Sequence, residues 1–209
     1  MNAVAFANGV INDYTSAKNI FCEYMPEYVL ACDGGLRHCL AMGITPHAII
    51  GDMDSAPPDA LAYYAHVPIL TFPPEKDATD LELAMAHLYE KGAQTVLALG
   101  ALGGRFDHQL AHLHVMAGAR ARGMDLLLQD ETTRVQYVTT HTTLHRHHGE
   151  TVSLYPFGLA EGIVTRGLLY PLCNEPLPPG VARGTSNQMT ADTAEIALDR
   201  GAIVVVQSV

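Results

Sequence analysis

Near residue 130 the hydrophobic pattern of this chain changes period, and that change limits its architecture more than any single motif. From residue 1 to about 128, short apolar runs alternate with helical patterns. "AVAFANG", "YVLACDGG", "AIIGDMDS", "VPILTFPP", "TVLALGAL" and "DLLLQD" have the length and continuity of strands buried on both faces. Helices are predicted near 34–42, 57–66, 79–91 and 107–122. The clearest, "TDLELAMAHLYEKG", sets Thr79 and Glu82 at capping-box spacing. It carries Leu81, Ala84, Met85 and Leu88 on one face and stops at Gly92. Such alternation predicts an α/β domain over 1–130 with a mostly parallel sheet. Beyond it, "RVQYVTT", "TTLHRH", "TVSLYPF", "GIVTRGLLY", "GVARGTSN", "AEIALD" and "AIVVVQS" are short, rich in Val, Thr and Tyr, and separated by Gly, Pro and Asn. No amphipathic helix intervenes, so 131–209 is expected to be an all-β domain, an antiparallel sandwich or barrel. Within it "LCNEPLPPG" (172–180) reads as a Pro-rich loop.

Composition narrows the setting. A chain of 209 residues can bury a core in each half. No apolar run approaches the ~20 residues that cross a membrane. The first basic residue is Lys18, after the N-terminal apolar run, which is the wrong order for a signal peptide. A cytoplasmic protein is expected. Cys22, Cys32, Cys39 and Cys173 form no CxxC pair and read as buried, reduced thiols. The excess of 22 acidic over 12 basic residues argues against a nucleic-acid backbone as partner.

The acids recur at one position. Asp33 follows "YVLAC", Asp52 and Asp54 follow "AII", Asp77 and Asp80 follow "ILTFPPEK", and Asp107 follows "LALGALGGRF". Each comes after a predicted strand, at the sheet edge where open α/β folds bind ligands. A single Asp there is ordinarily a helix cap or turn residue. A row of them along one edge is a site, and like charges so gathered need a cation. Oxygen ligands without His or Cys at matching spacing point to Mg²⁺, which bridges carboxylates to substrate phosphates. Glycines at 34–35 and 103–104 allow close backbone approach, and Lys76 and Arg105 supply positive contacts. Neither a GxxxxGK[ST] nor a GxGxxG loop is present. His141, His145, His147 and His148 lack an acid or Cys at partner spacing and read as solvated. His108 and His112 lack the Glu of HExxH and read as ordinary helix residues. These residues define a magnesium-dependent, phosphate-handling enzyme and leave the acceptor open.

The motifs are more specific than their chemistry. "DGG" at 33–35, "IIGDMDS" at 49–55, "KDATD" at 76–80 and "GGRFDH" at 103–108, in that order, resemble the thiamin pyrophosphokinase family. "RGLLYPL" (166–172) and "GTSN" (184–187) resemble that family's second domain. The resemblance implies an α/β catalytic domain that binds ATP and Mg²⁺, a β-sandwich that helps hold thiamin, and a homodimer with shared active sites. It implies transfer of pyrophosphate from ATP to the thiamin hydroxyl, giving thiamin diphosphate and AMP. By motif match, Asp33, Asp52, Asp54 and Asp80 hold Mg²⁺ with the ATP phosphates, and Asp80 also borders thiamin. Gly34 and Gly35 flank the phosphates. Lys76 and Arg105 contact phosphate oxygens, Asp107 orients the GGR loop, and Ser186 and Asn187 hydrogen-bond the pyrimidine. The direct catalytic roles fall to Asp54, Asp80 and Arg105. Some family members set a Trp against the thiamin rings, and this chain has no Trp. Two other readings compete. "AIIGDMDS" imitates the DxDx[ST] strand end of haloacid-dehalogenase-type phosphohydrolases, though there the nucleophilic Asp normally lies near the chain start. A catalytically inactive thiamin- or nucleotide-binding module would lack one of the acids, and every matched acid is present.

Overall fold

The computed structural model describes every residue except Pro74, Lys76 and Val209. The chain divides into two compact units, Met1–Glu131 and Thr132–Val209.

In the first unit the strands are β1 (Asn2–Phe6), β2 (Tyr28–Cys32), β3 (Ala48–Gly51), β4 (Ile69–Thr71), β5 (Thr95–Leu99) and β6 (Asp125–Gln129). The helices are α1 (Tyr14–Tyr24), α2 (Leu36–Met42), α3 (Pro58–Tyr63), α4 (Asp80–Glu90) and α5 (Phe106–Ala121). The strands lie in the order β6-β5-β1-β2-β3-β4, every pair parallel. Strand side chains alternate between two covered faces. Val4 and Phe6 of β1 join Leu36, Cys39 and Met42 of α2 and Ala60 of α3 in one core cluster. Ala3 and Ala5, pointing the other way, are also fully buried, and α4 packs on β1, β2 and β3. The chain builds outward from β1 to β4, then returns to the other side of β1 with β5. That reversal opens a crevice at the carboxyl ends of β1 and β5.

Local differences from the sequence reading have local causes. Helix α1 is absent from the predicted set. Its start is capped by Asp13, which accepts hydrogen bonds from the Thr15 amide (2.8 Å) and the Ser16 hydroxyl (2.6 Å). Ala17 is its one fully buried residue, while Tyr14, Ile20, Phe21 and Tyr24 are half-covered, so its apolar stripe is faint in the sequence. Strand β4 is a sheet edge with Ile69 exposed, not a strand buried on both faces. In α4 the Thr79 hydroxyl accepts from the Glu82 amide, and Leu81, Ala84, Met85 and Leu88 are buried as the pattern requires. The four cysteines are free, but Cys22 and Cys173 are exposed rather than buried.

The second unit holds β7 (Thr133–Val138), β8 (His141–His145), β9 (Thr151–Pro156), β10 (Ala160–Arg166), β11 (Cys173–Leu177), β12 (Asn187–Gln188), β13 (Thr193–Ala197) and β14 (Ile203–Ser208). Two antiparallel arrays, β12-β9-β14-β7 and β11-β10-β13-β8, face one apolar core. Val152, Leu154, Ile203 and Val205 enter it from the first, and Leu144, Ile163, Leu177 and Ile196 from the second. Two expectations fail here. Part of the Pro-rich 172–180 segment is a strand, β11, because an edge position needs no amide from Pro176 on its open side. Most of "GVARGTSN" is a loop instead of a strand. Gly184 runs so close to β9 that a Cβ would lie 2.3 Å from the Leu154 carbonyl oxygen, and Ser186 then turns the backbone left-handed at φ 58°.

Candidate active site

The acidic layer is assembled by short loops at the carboxyl ends of parallel strands. Asp33 leaves β2 in a left-handed conformation, φ 45°. That geometry costs an L-residue about 1–2 kcal/mol, least for Asp, Asn and Gly. It turns the side chain inward, where it is 3% exposed and accepts from the Ser55 amide at 3.3 Å. Asp52 and Asp54 follow β3 with left-handed Met53 (φ 65°) between them. The Asp54 amide donates to Asp52 Oδ1 (3.3 Å), and the Ser55 hydroxyl donates to Asp54 Oδ1 (2.9 Å). One carboxylate oxygen from each of Asp33, Asp52 and Asp54 falls within 4.8 Å of the others. Asp80, the first residue of α4, stands beside them. A Cβ at Gly51 would sit 2.9 Å from the Asp33 Cβ and 3.3 Å from Asp80 Oδ1, so Gly51 makes room for the layer.

Burial raises the Asp33 carboxyl above the usual carboxylate range, and the charges of Asp80 and Asp54 raise it further. A folded-state pKa above the unfolded value means that the folded protein binds this proton more tightly. Its contribution to stability is therefore full below the ordinary value of 3.8 and is lost as pH rises through the elevated one. Metal-free Asp33→Asn keeps the left-handed backbone and sheds the charge. Its Tm at pH 7 is expected above that of the wild type, the gap closing below pH 3.8. A lower Tm at pH 7 would contradict this account.

A cleft of about 550 Å³ opens over the layer, lined by Asp33, Asp52, Asp54 and Asp80 together with the loops after β1 and β5. Gly103 and Gly104 bring Arg105 to its rim through two left-handed residues, φ 76° and 75°. The exposed Arg105 guanidinium makes a two-point contact with Asp107, Nε to Oδ1 at 3.1 Å and Nη2 to Oδ2 at 2.6 Å. That contact lowers the Asp107 carboxyl to about 2. Gly34 and Gly35 do not line the cleft. They are buried where a Cβ would strike Asn8 Oδ1 at 2.2 Å and the Phe6 carbonyl oxygen at 2.0 Å, so they hold the loop after β2 against the loop after β1. Asp77 is exposed outside the cleft, and Lys76 lies outside the described residues. Asn8, Gly9 and Val10, which carry no motif signal, also form the wall, as does His108, the last residue of "GGRFDH". His112 is buried with Nδ1 2.8 Å from the Ala101 carbonyl oxygen, and burial lowers its pKa.

The second unit has its own cleft of about 390 Å³, lined by Leu154, Leu169, Tyr170, Leu172, Gly184 and Asn187 among others. Asn187 is buried, and its amide spans the 166–172 loop. Nδ2 donates to the Tyr170 carbonyl (2.7 Å), and Oδ1 accepts from the Tyr170 amide (3.0 Å). Ser186 is anchored by its own amide, which donates to the Ser153 hydroxyl at 3.0 Å.

A parallel α/β unit with carboxylates at its strand ends and a cleft above them, followed by an antiparallel β unit, places the protein among α/β folds with a ligand crevice at the strand ends. Residues 24–128 match the thiamin pyrophosphokinase catalytic domain, and residues 139–203 match the thiamin pyrophosphokinase vitamin B1 binding domain. The chain belongs to the thiamin pyrophosphokinase family. It is 30% identical to thiamine pyrophosphokinase 1 of Oryza sativa subsp. japonica over 199 residues, which cover 88% of this chain and 72% of the relative. Thiamine pyrophosphokinase 3 of the same plant is 30% identical over 168 residues, and the chain spans 62% of its length. The crystal structure of thiamine pyrophosphokinase from Bacillus subtilis shares the fold at a TM-score of 0.88 with 23% identity, covering 100% of this chain and 99% of that one. With both halves matched to one family, the phosphohydrolase reading of "AIIGDMDS" falls away.

Proposed function

We propose that this chain transfers the terminal pyrophosphoryl group of ATP to the hydroxyl of thiamin, giving thiamin diphosphate and AMP. The observation that carries the reading is the convergence of Asp33, Asp52 and Asp54 at parallel strand ends in a chain whose halves match a catalytic and a vitamin B1 binding domain. Three hard carboxylate groups with no imidazole or thiolate among them fit Mg²⁺ better than a softer metal. Asp33, Asp52 and Asp54, with Asp80, would hold it. When bound, the ion supplies charge neutralisation that lets a polyphosphate approach the acidic layer.

The chain's own residues then position and discriminate. The thiamin oxygen forms a bond to the β-phosphorus, the bond from that phosphorus to the α-phosphate oxygen breaks, and AMP leaves. In-line displacement of this kind needs alignment more than covalent help. A carboxylate of the acidic layer accepts the hydroxyl proton. Arg105, held flat by Asp107, grips phosphate oxygens, and Lys76 contacts the same group. Gly34 and Gly35 act by bracing the loop that carries Asp33. The β-sandwich of the second unit holds thiamin: Ser186 and Asn187 face the pyrimidine, and the exposed ring of Tyr170 offers an aromatic face in a chain without Trp. The working form is a homodimer in which one protomer's acids serve thiamin held by its partner. Four free thiols suit a cytoplasmic setting.

Purified protein given ATP, Mg²⁺ and thiamin is expected to release AMP, not ADP, in step with thiamin diphosphate. Thiamin binding without AMP would instead identify an inactive module. Arg105→Lys keeps the charge but loses the planar fork that pairs with Asp107 and with two phosphate oxygens. It should raise KM for ATP roughly tenfold, the scale of one charge-assisted hydrogen bond, and leave KM for thiamin unchanged. A thiamin-specific defect would assign Arg105 to the other substrate.

A further inference from the structure

Beneath the cleft lies an imidazole that the proposed reaction does not use. His38, on α2, is 2% exposed. Its Nε2 is 2.9 Å from the Gly9 carbonyl oxygen, and its Nδ1 is 2.9 Å from the Tyr14 hydroxyl. A carbonyl oxygen only accepts, so Nε2 carries the proton and Nδ1 accepts from Tyr14. The ring is thereby fixed as one neutral tautomer. Burial, with the nearby Arg37 charge, holds its pKa down at about 4. Arg37 acts on the neighbouring position: its Nε donates to the Gly34 carbonyl at 2.8 Å, and its guanidinium donates to Asn8 Oδ1. Two successive residues of α2 therefore hold two successive residues of the loop after β1.

The loop after β5 is locked into the same assembly. The Gly9 amide donates to the Gly100 carbonyl at 2.7 Å. A Cβ at Gly9 would fall 2.3 Å from that oxygen, and one at Gly100 would fall 3.1 Å from His38 Nε2. Asn8, Gly9, Val10, Gly100 and Ala101 all line the cleft over the acidic layer. His38 thus sets the level of the wall without reaching the cleft itself.

We propose that His38 is a positioning residue for the nucleotide: oriented by Tyr14, it fixes the Gly9 carbonyl and with it the cleft wall formed by residues 8–10 and 100–101. This inference rests on the reading of that cleft as the ATP site. The test compares two amides of different reach. Gln extends to the place of Nε2 and keeps donation to Gly9, whereas Asn reaches only as far as Nδ1 and loses it. His38→Asn should raise KM for ATP about tenfold, as expected for one buried hydrogen bond, with kcat and KM for thiamin within twofold of wild type. His38→Gln should restore ATP use to near the wild-type level. Hydrogen exchange at the Gly9 amide should quicken in His38→Asn and not in His38→Gln. If His38→Asn fails to fold, Tyr14→Phe, which frees the ring to turn, should show the same rise in KM and the same faster exchange. Equal KM values in the two amide variants, a fall in kcat alone, or a wild-type ¹⁵N spectrum with the His38 proton on Nδ1 would overturn the proposal. Wild-type protein that makes no AMP would instead overturn the ATP reading. The Gly9 exchange comparison would then still decide whether His38 holds the wall.

Discussion

Asp54→Asn lowers the rate of AMP release by about two to three orders of magnitude, the loss typical when a preorganised charge at a reacting centre is removed. The substitution is nearly isosteric. Its amide oxygen can still accept from the Ser55 hydroxyl, which lies 2.9 Å from Asp54 Oδ1, so the loop after β3 keeps its shape. What disappears is one of three carboxylates whose oxygens gather within 4.8 Å. Without a cation those charges repel, so the Tm of the metal-free variant is expected to equal or exceed that of the wild type. Activity and stability should therefore move in opposite directions, which separates a functional acid from a structural one. Chelation of the wild-type protein should reproduce the activity loss, and added Mg²⁺ should reverse it. Full turnover in Asp54→Asn, or in exhaustively chelated wild type, would remove the metal from the mechanism.

Mixing two dead variants restores activity if thiamin and ATP are held by different protomers. Asp80→Asn damages the acidic layer. Asn187→Ala leaves the Tyr170 amide and carbonyl, now paired with the Asn187 side chain at 3.0 and 2.7 Å, without partners. Each alone should be inactive. After joint unfolding and refolding, a two-fold dimer pairs the chains at random, and half of all dimers are mixed. Every mixed dimer then holds one doubly damaged site and one intact site, so about a quarter of wild-type activity should return. Sites confined to single chains would each keep a lesion, and no activity would return. Mixed dimers without recovery would exclude the shared site, and a separate Tm for Asn187→Ala checks that the second unit still folds.

The parts of the fold legible in the sequence are those with a complete burial pattern, on both faces as in β1 or on one face as in α4, β9 and β13. β1, β2, β3 and β5 are continuous apolar runs because both faces of the sheet are covered, and α4 carries a complete cap and stripe. Where few residues of an element are buried, the signal fades. Helix α1 hides behind half-covered aromatic residues, and β11 passes for a loop because an edge strand tolerates Pro176 and the exposed Cys173 and Asn174. The candidate site divides in the same way. Its acids were readable because charge after an apolar run is conspicuous. The contributions of Asn8, Gly9 and His38 were not, since they depend on β1, α2 and β5 meeting at a point that sequence neighbours do not share. Gly34 and Gly35 read in the sequence as glycines flanking the phosphates, but they do not line the cleft. The close neighbour in the structure is the chain's own β1 loop.

The left-handed turn at Asp33 carries an evolutionary consequence. Among side chains other than glycine, Asn is the one that accepts this backbone as readily as Asp, and a single base change in either Asp codon yields Asn. If Asp33 holds the metal as proposed, a silent descendant that keeps its fold and loses its chemistry is one nucleotide away. If removing the charge also stabilises the metal-free protein, selection for folding alone would favour that step. Only a continuing demand for the product would then keep the acid in place, and gene copies relieved of that demand should drift first at this codon.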